Sequence, residues 1–190
     1  MAETRINISE LKSEGSDLIK ELALKFGDFT LASGKKASFY LDCRKVTLHP
    51  RGANLIAAGI LDLLGENLPD AVGGMAIGAD PITAAVITLA GQQDKPLLGF
   101  IVRKESKEHG TGRDVEGPVE SGQTAVIVED TTTTGGSSLK AIEKAEAAGL
   151  KVVGVISIVD RLSGAAEIFA ERGYPLRSLL TIRDFGIEPD

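Results

Sequence analysis

From about Ala71 onward the chain alternates short apolar runs with stretches in which apolar residues return every three or four positions. The runs Ala71–Ala76, Leu97–Val102, Thr124–Glu129, Lys151–Val159 and Arg177–Ile182 read as strands. Two of them, Ala125-Val-Ile-Val128 and Val152-Val-Gly-Val-Ile156, are continuous and β-branched, which suits strands buried on both faces of a parallel sheet covered by helices. Between the runs, Ile56, Ile60, Leu63 and Leu64 follow Pro50 at helical spacing, and Pro81 opens a second apolar helix through Leu89 that ends near Gly91. Ser137 or Ser138 is placed to cap a third helix carrying Leu139 and Ile142 and stopping at Gly149. Ser163 is placed to cap a fourth, which Gly173 ends. Strand–helix–strand repetition of this kind predicts an α/β fold: a mainly parallel open sheet flanked by helices, with ligands at the carboxyl ends of the strands.

The first 45 residues follow another pattern. A helix is expected over Ser9–Lys25, followed by Phe26-Gly-Asp-Phe-Thr-Leu-Ala-Ser-Gly34 and Ser38-Phe-Tyr-Leu-Asp42, a hairpin-rich cap over the main sheet. The expectation is one domain over residues 1–190, with a hood at 1–45 and an α/β core at 46–190.

Composition narrows the function. Hydrophobic residues make up 43% and charged residues 25%, as in an ordinary globular chain. The net charge of −6 disfavours nucleic acid as the main partner, since backbone phosphates need a basic face. The single cysteine, Cys43, excludes an internal disulfide, fits a reducing compartment and lacks any cysteine-enzyme signature around it. Met1–Asn7 has no apolar run of the kind a signal peptide needs, and no stretch approaches a membrane span. The expectation is a soluble, cytoplasmic protein with no membrane partner.

The most informative stretch is Val126-Ile-Val-Glu-Asp-Thr-Thr-Thr-Thr-Gly-Gly-Ser-Ser138. Small hydroxyl and glycine residues let backbone N–H groups approach an anion, and a helix start adds its positive end, so the loop is a phosphate cradle. Glu129 and Asp130 would repel phosphate at close range; they make sense facing sugar hydroxyls or a metal, with the phosphate further along. A polar strand-to-helix turn capped by Thr and Ser is the plainer alternative. The loop lacks the lysine of G-x-x-x-x-G-K-[ST], and no G-x-G-x-x-G opens a helix anywhere.

A second constellation is Val102-Arg-Lys-Glu-Ser-Lys-Glu-His-Gly-Thr-Gly112. Arg103, Lys104, Lys107 and His109 concentrate positive charge in an acidic protein, which points to a polyanionic ligand; a solvated loop of alternating Lys and Glu accounts for the same composition.

The acid pair followed by small residues, Thr-Gly and a helix resembles the loop of type I phosphoribosyltransferases that binds phosphoribosyl pyrophosphate (PRPP). The resemblance implies that Glu129 and Asp130 bind the ribose hydroxyls, and that Thr131, Thr132, Thr133, Thr134, Gly135, Gly136 and Ser137 bind the 5′-phosphate. The arrangement R-K-x-x-K-x-H resembles the orotate phosphoribosyltransferases within that family. It implies that Arg103, Lys104, Lys107 and His109 meet pyrophosphate, with Lys107, Arg103 and His109 catalytic, and that the Arg103–Gly112 loop is shared across a homodimer. Phe29–Gly34 with Ser38–Asp42 is similar to the family's segment near the base, which implies roles for Phe39 and Tyr40. Val159-Asp-Arg161 resembles the strand end whose arginine pairs with the orotate carboxylate, and Thr133 holds the position that also touches orotate. A structural Asp160–Arg161 pair is the alternative for that strand end.

Gly73–Pro81 looks like the family's pyrophosphate-binding turn, yet Gly78 stands where some members carry a lysine, and Ala32 replaces another. The resemblance covers roughly Phe26–Asp184. It implies orotate plus PRPP giving orotidine 5′-monophosphate and pyrophosphate, with Mg²⁺ as cofactor held through PRPP and water rather than by a protein cluster. The competing readings are a phosphoribosyltransferase for another base and a non-catalytic PRPP-sensing regulator of the same fold.

Overall fold

The structure, a computed structural model, describes residues 11–30, 36–105 and 113–189. A π-helical turn, Leu11–Gly15, leads into α1 (Ser16–Leu22). The helix stops short of the expected Lys25, because Leu24 already pairs with Leu41 as the first residue of β1 (Leu24–Thr30). Ile19, Ala23 and Leu24 are buried in one core, so the apolar pattern runs unbroken across the helix-to-strand boundary and hides it in the sequence. β1 pairs antiparallel with β2 (Lys36–Leu41), with an irregularity between Phe26 and Phe29. A short helix, α2 (Arg44–Thr47), then joins the hairpin to α3 (Pro50–Leu64). Pro50 occupies the first helical position, and His49 caps it by accepting the Gly52 N–H on Nδ1 at 3.4 Å.

Among the described residues the main sheet has six strands in the order β5-β4-β3-β6-β7-β8. They are β3 (Ala71–Met75), β4 (Leu98–Val102), β5 (Val115–Glu116), β6 (Thr124–Thr132), β7 (Lys151–Asp160) and β8 (Leu176–Thr181). All neighbours are parallel except the short β5, which no sequence pattern announced. The crossover helices are α4 (Ala79–Gln92), α5 (Gly136–Ala147) and α6 (Ala165–Glu171). Along β6 the side chains alternate between two cores, as the pleat requires. Val126 and Val128 join Ile60, Ile82 and Ile156 on the face covered by α3 and α4. Ala125 and Ile127 join Phe100, Ile142 and Phe169 on the face covered by α5 and α6.

Three local expectations need correcting. β6 runs on past Glu129 to Thr132, because Glu129 through Thr132 keep their register against Ser157 through Asp160 of β7. α5 is capped by Gly135 in the left-handed region (φ 76°), not by a serine. α6 is likewise preceded by left-handed Gly164 (φ 90°), while the Ser163 hydroxyl donates to the Arg161 carbonyl oxygen at 3.4 Å. Among the described residues no helix is long and apolar enough to cross a membrane.

Candidate active site

The chain leaves β3 for β4 on one side and enters β6 on the other, so a crevice opens where β3 and β6 part at their carboxyl ends. A cleft of about 410 Å³ lies there. Met75, Ala76, Ile77 and Gly78 form one wall, and Glu129, Asp130 and Thr131 of β6 with Thr133 and Ser137 beyond it form the other. Tyr40, Leu41, Asp42 and Arg44 reach it from the hairpin and α2, and Arg161 from the end of β7.

Close backbone approaches fix this shape. A Cβ on Gly74 would lie 2.3 Å from the Val128 carbonyl oxygen and 2.7 Å from the Ala79 Cβ, so β3 passes β6 and α4 with no room for a side chain. A Cβ on Gly135 would meet the Phe169 ring at 2.7 Å, on a backbone that already disfavours L side chains. That glycine turns the chain sharply from β6 into α5, which puts Thr133 and Ser137 on the cleft wall beside the positive end of a helix.

The acid pair is built into the strand. Glu129 is only 7% exposed; its Oε2 accepts the Ser138 hydroxyl at 2.9 Å and its Oε1 accepts the Asp130 N–H at 3.3 Å. Burial, reinforced by the neighbouring Asp130 carboxylate, pushes Glu129 up to about 7. Asp130 accepts the Thr131 N–H on Oδ1 at 2.8 Å. A pair of carboxyl groups at a strand end, each with acceptor capacity in the cleft, suits vicinal hydroxyls. Beneath them Cys43 is fully buried; the Thr131 hydroxyl donates to its Sγ at 3.4 Å, and burial pushes the thiol up to about 12. This is an inert, structural cysteine.

On the far side the Arg161 guanidinium lies over the Phe39 ring, 4.7 Å from its centroid. Asp160 does not pair with it: its Oδ1 accepts the Leu162 N–H at 2.8 Å, and the Arg161 N–H itself donates to the Thr132 carbonyl oxygen at 2.9 Å. The arginine fork is therefore anchored through its backbone and one aromatic face and free of a carboxylate among the described residues.

Residues 47–173 match the family model described as a phosphoribosyl transferase domain. The chain is 60% identical to the orotate phosphoribosyltransferase of Rhodopirellula baltica over 178 residues, covering 90% of this chain and 92% of that protein. It belongs to the orotate phosphoribosyltransferase family. The crystal structure of the orotate phosphoribosyltransferase of Mycobacterium tuberculosis H37Rv in complex with Fe(III) dicitrate superposes with a TM-score of 0.83 at 39% identity, covering 93% of this chain and 99% of that one. The same enzyme's complex with PRPP gives a TM-score of 0.79 at 36% identity, with the same coverage. The type I phosphoribosyltransferase fold expected from the sequence is the fold observed.

Within this family's frame, the cleft gathers Glu129, Asp130, Thr131, Thr133, Ser137, Tyr40 and Arg161, with Phe39 buried beneath the last. Thr132, 1% exposed, turns into the core, and Thr134, Gly135 and Gly136 shape the turn without lining the cleft. Arg103 and Lys104 do not line it either: Arg103 ion-pairs with Glu116 at 3.1 Å, and its N–H donates to the Asp114 carbonyl oxygen. Lys107 and His109 lie outside the described residues. Sequence reading missed Asp42 and Arg44 on the cleft wall and Ser138 as the partner of Glu129. It also missed Lys144, whose Nζ donates to the Arg103 carbonyl oxygen at 2.8 Å and to Asp114 Oδ1 at 3.1 Å, tying together the two ends of the cationic segment.

Proposed function

We propose that this chain transfers the 5-phosphoribosyl group of PRPP to orotate, giving orotidine 5′-monophosphate and pyrophosphate for pyrimidine synthesis. The observation that carries the reading is one cleft in which a strand-end acid pair, a helix-start cradle and an arginine stacked on an aromatic ring converge. Those features match a ribose, a phosphate and a planar ring bearing a carboxylate. Glu129 and Asp130 accept from the ribose hydroxyls, and Thr131, Thr133 and Ser137 hold the 5′-phosphate, with Thr132, Thr134, Gly135 and Gly136 shaping the turn between them. Arg161, with Thr133, Phe39 and Tyr40, takes the base: its planar fork matches the carboxylate. The C1′–oxygen bond to pyrophosphate breaks, pyrophosphate leaves with the electron pair, and the orotate ring nitrogen forms the new bond to C1′. The ribose passes through an oxocarbenium-like state, so the protein's task is to stabilise departing negative charge rather than to supply a nucleophile. Arg103, Lys104, Lys107 and His109 are assigned to that charge.

Among the described residues no cluster of three or more His, Cys, Asp or Glu side chains is arranged to hold a metal. A Mg²⁺ held through PRPP oxygens and water would sit on the cleft wall beside Asp130, without a dedicated protein cluster. When bound, it offsets the charge of the pyrophosphate. The reading is completed by a single domain over residues 1–190 with its hood at 1–45, a cytoplasmic location, and a homodimer sharing the Arg103–Gly112 loop between subunits.

The test is pyrophosphate release from PRPP and Mg²⁺ with orotate, uracil, hypoxanthine or adenine as the only base, in wild type and Lys107→Ala. Orotate-dependent release that falls by about a hundredfold or more in the variant is expected for a group stabilising the transition state. Turnover with a purine alone would overturn the Arg161 assignment. PRPP binding without turnover of any base would mark a regulator.

A further inference from the structure

We propose that Arg44 is an additional substrate ligand that supplies positive charge to the pyrophosphate group of PRPP. The inference rests on the phosphoribosyl-transfer reading above and assigns a role to a residue that no sequence motif singled out. Among the described residues that line the cleft, the carboxyl groups of Asp42, Glu129 and Asp130 face only two cations, Arg44 and Arg161. Arg161 is placed for the base, and the 5′-phosphate has the start of α5. The pyrophosphate is the most charged group of the ligand, and the wall assigned to it, Ala76–Gly78, carries no cation. Gly78 cannot supply one without crowding, since a Cβ there would already lie 3.3 Å from Asp130 Oδ1. Arg103, the arginine of the cationic segment, ion-pairs with Glu116 outside the cleft wall.

Arg44 has the geometry for the task. It follows β2 closely and opens α2, so its backbone is fixed by the hairpin on one side and the core on the other. Asp42 grips it twice, accepting from Nε at 2.8 Å and from Nη2 at 3.2 Å, and also accepts the Arg44 N–H at 3.3 Å. The arginine side chain stays 45% exposed, and a guanidinium carries more donors than one carboxylate takes up, so donors remain for a ligand. An ion pair this exposed contributes little to stability, about 0–1 kcal/mol. Its effect is to hold the fork in one orientation before substrate arrives, which lowers the ordering cost of binding. Arg44 lines the same cleft as Asp130, the ribose-binding acid.

The experiment compares wild type, Arg44→Ala and Arg44→Lys by calorimetric titration with PRPP, pyrophosphate and ribose 5-phosphate, each with Mg²⁺. Steady-state KM values for PRPP and for orotate are measured alongside. Arg44→Ala is expected to weaken PRPP and pyrophosphate by about tenfold or more, as for a lost hydrogen bond to a charged group. Ribose 5-phosphate affinity and the orotate KM are expected to stay within about twofold, and Arg44→Lys to recover part of the loss. Unchanged PRPP and pyrophosphate affinity in a folded Arg44→Ala or Arg44→Lys protein overturns the proposal. So does equal weakening of ribose 5-phosphate, or a rise confined to the orotate KM. Wild type that binds no PRPP overturns the phosphoribosyl-transfer reading itself, whatever the variants do.

Discussion

Replacing Glu129 by glutamine preserves the shape of a buried side chain and removes its charge. In the folded protein burial and the adjacent Asp130 raise this acid from its ordinary 4.5 to about 7. Between those two pH values the folded chain keeps a proton that the unfolded chain has released. Stability from this group is therefore fully present below about 4.5, falls as pH rises, and is flat above about 7. At 1.36 kcal/mol for each pH unit, the rise from 4.5 to about 7 corresponds to about 3 kcal/mol. Glu129→Gln has no such term. It changes the contacts with Ser138 and the Asp130 N–H, but that offset does not depend on pH. The free energy of unfolding, measured by urea titration of both proteins from pH 5 to pH 8, is expected to shift in favour of the variant by about 2–3 kcal/mol across the range. Two parallel pH profiles would refute the argument and mean that Glu129 is ionised in the fold at little cost.

Three further outcomes are expected. Ser138→Ala leaves Glu129 without its hydroxyl donor and should cost about 1–3 kcal/mol in urea unfolding, with a much smaller loss when Glu129 is already glutamine. Gly74→Ala forces a Cβ to within 2.3 Å of the Val128 carbonyl oxygen, so calorimetry should show a fall in Tm matching about 1–3 kcal/mol or more, with weaker PRPP binding. Arg161→Lys keeps the charge but loses the fork and the stack on Phe39; the orotate KM should rise about tenfold while the PRPP KM stays within about twofold.

Much of this molecule was legible because buried parallel strands have few ways to be written. Ala125–Val128 and Val152–Ile156 could satisfy both faces only inside a covered sheet, and the structure places them at adjacent central positions. The boundaries that escaped the reading share a cause: a long-range contact overruled a local signal. Ser138 resembles a helix cap until Glu129, nine positions back on the strand, claims its hydroxyl. Glu129–Thr132 reads as loop chemistry, yet β7 pairs with Glu129, Thr131 and Thr132 and keeps the segment extended. Arg44 drew no notice because its partner Asp42, the hairpin before it and the acids of β6 meet only in three dimensions. The acid pair, the glycine turn, the Arg161 strand end and the Phe39–Tyr40 segment were local enough to be seen in one dimension.

The meeting of β3 with β6 has a kinetic corollary. Their strands, Ala71–Met75 and Thr124–Thr132, are separated by some fifty residues that include a helix and two other strands. Closing so long a loop is paid in chain entropy before the pairing returns any stability, which slows this step relative to the local β6–α5–β7 crossover. A nascent chain can therefore form the helix-start cradle while the opposite wall of the cleft is still missing. Ligand affinity then becomes a reporter of one long-range step in folding, and PRPP added during refolding should capture chains only after that seam has closed.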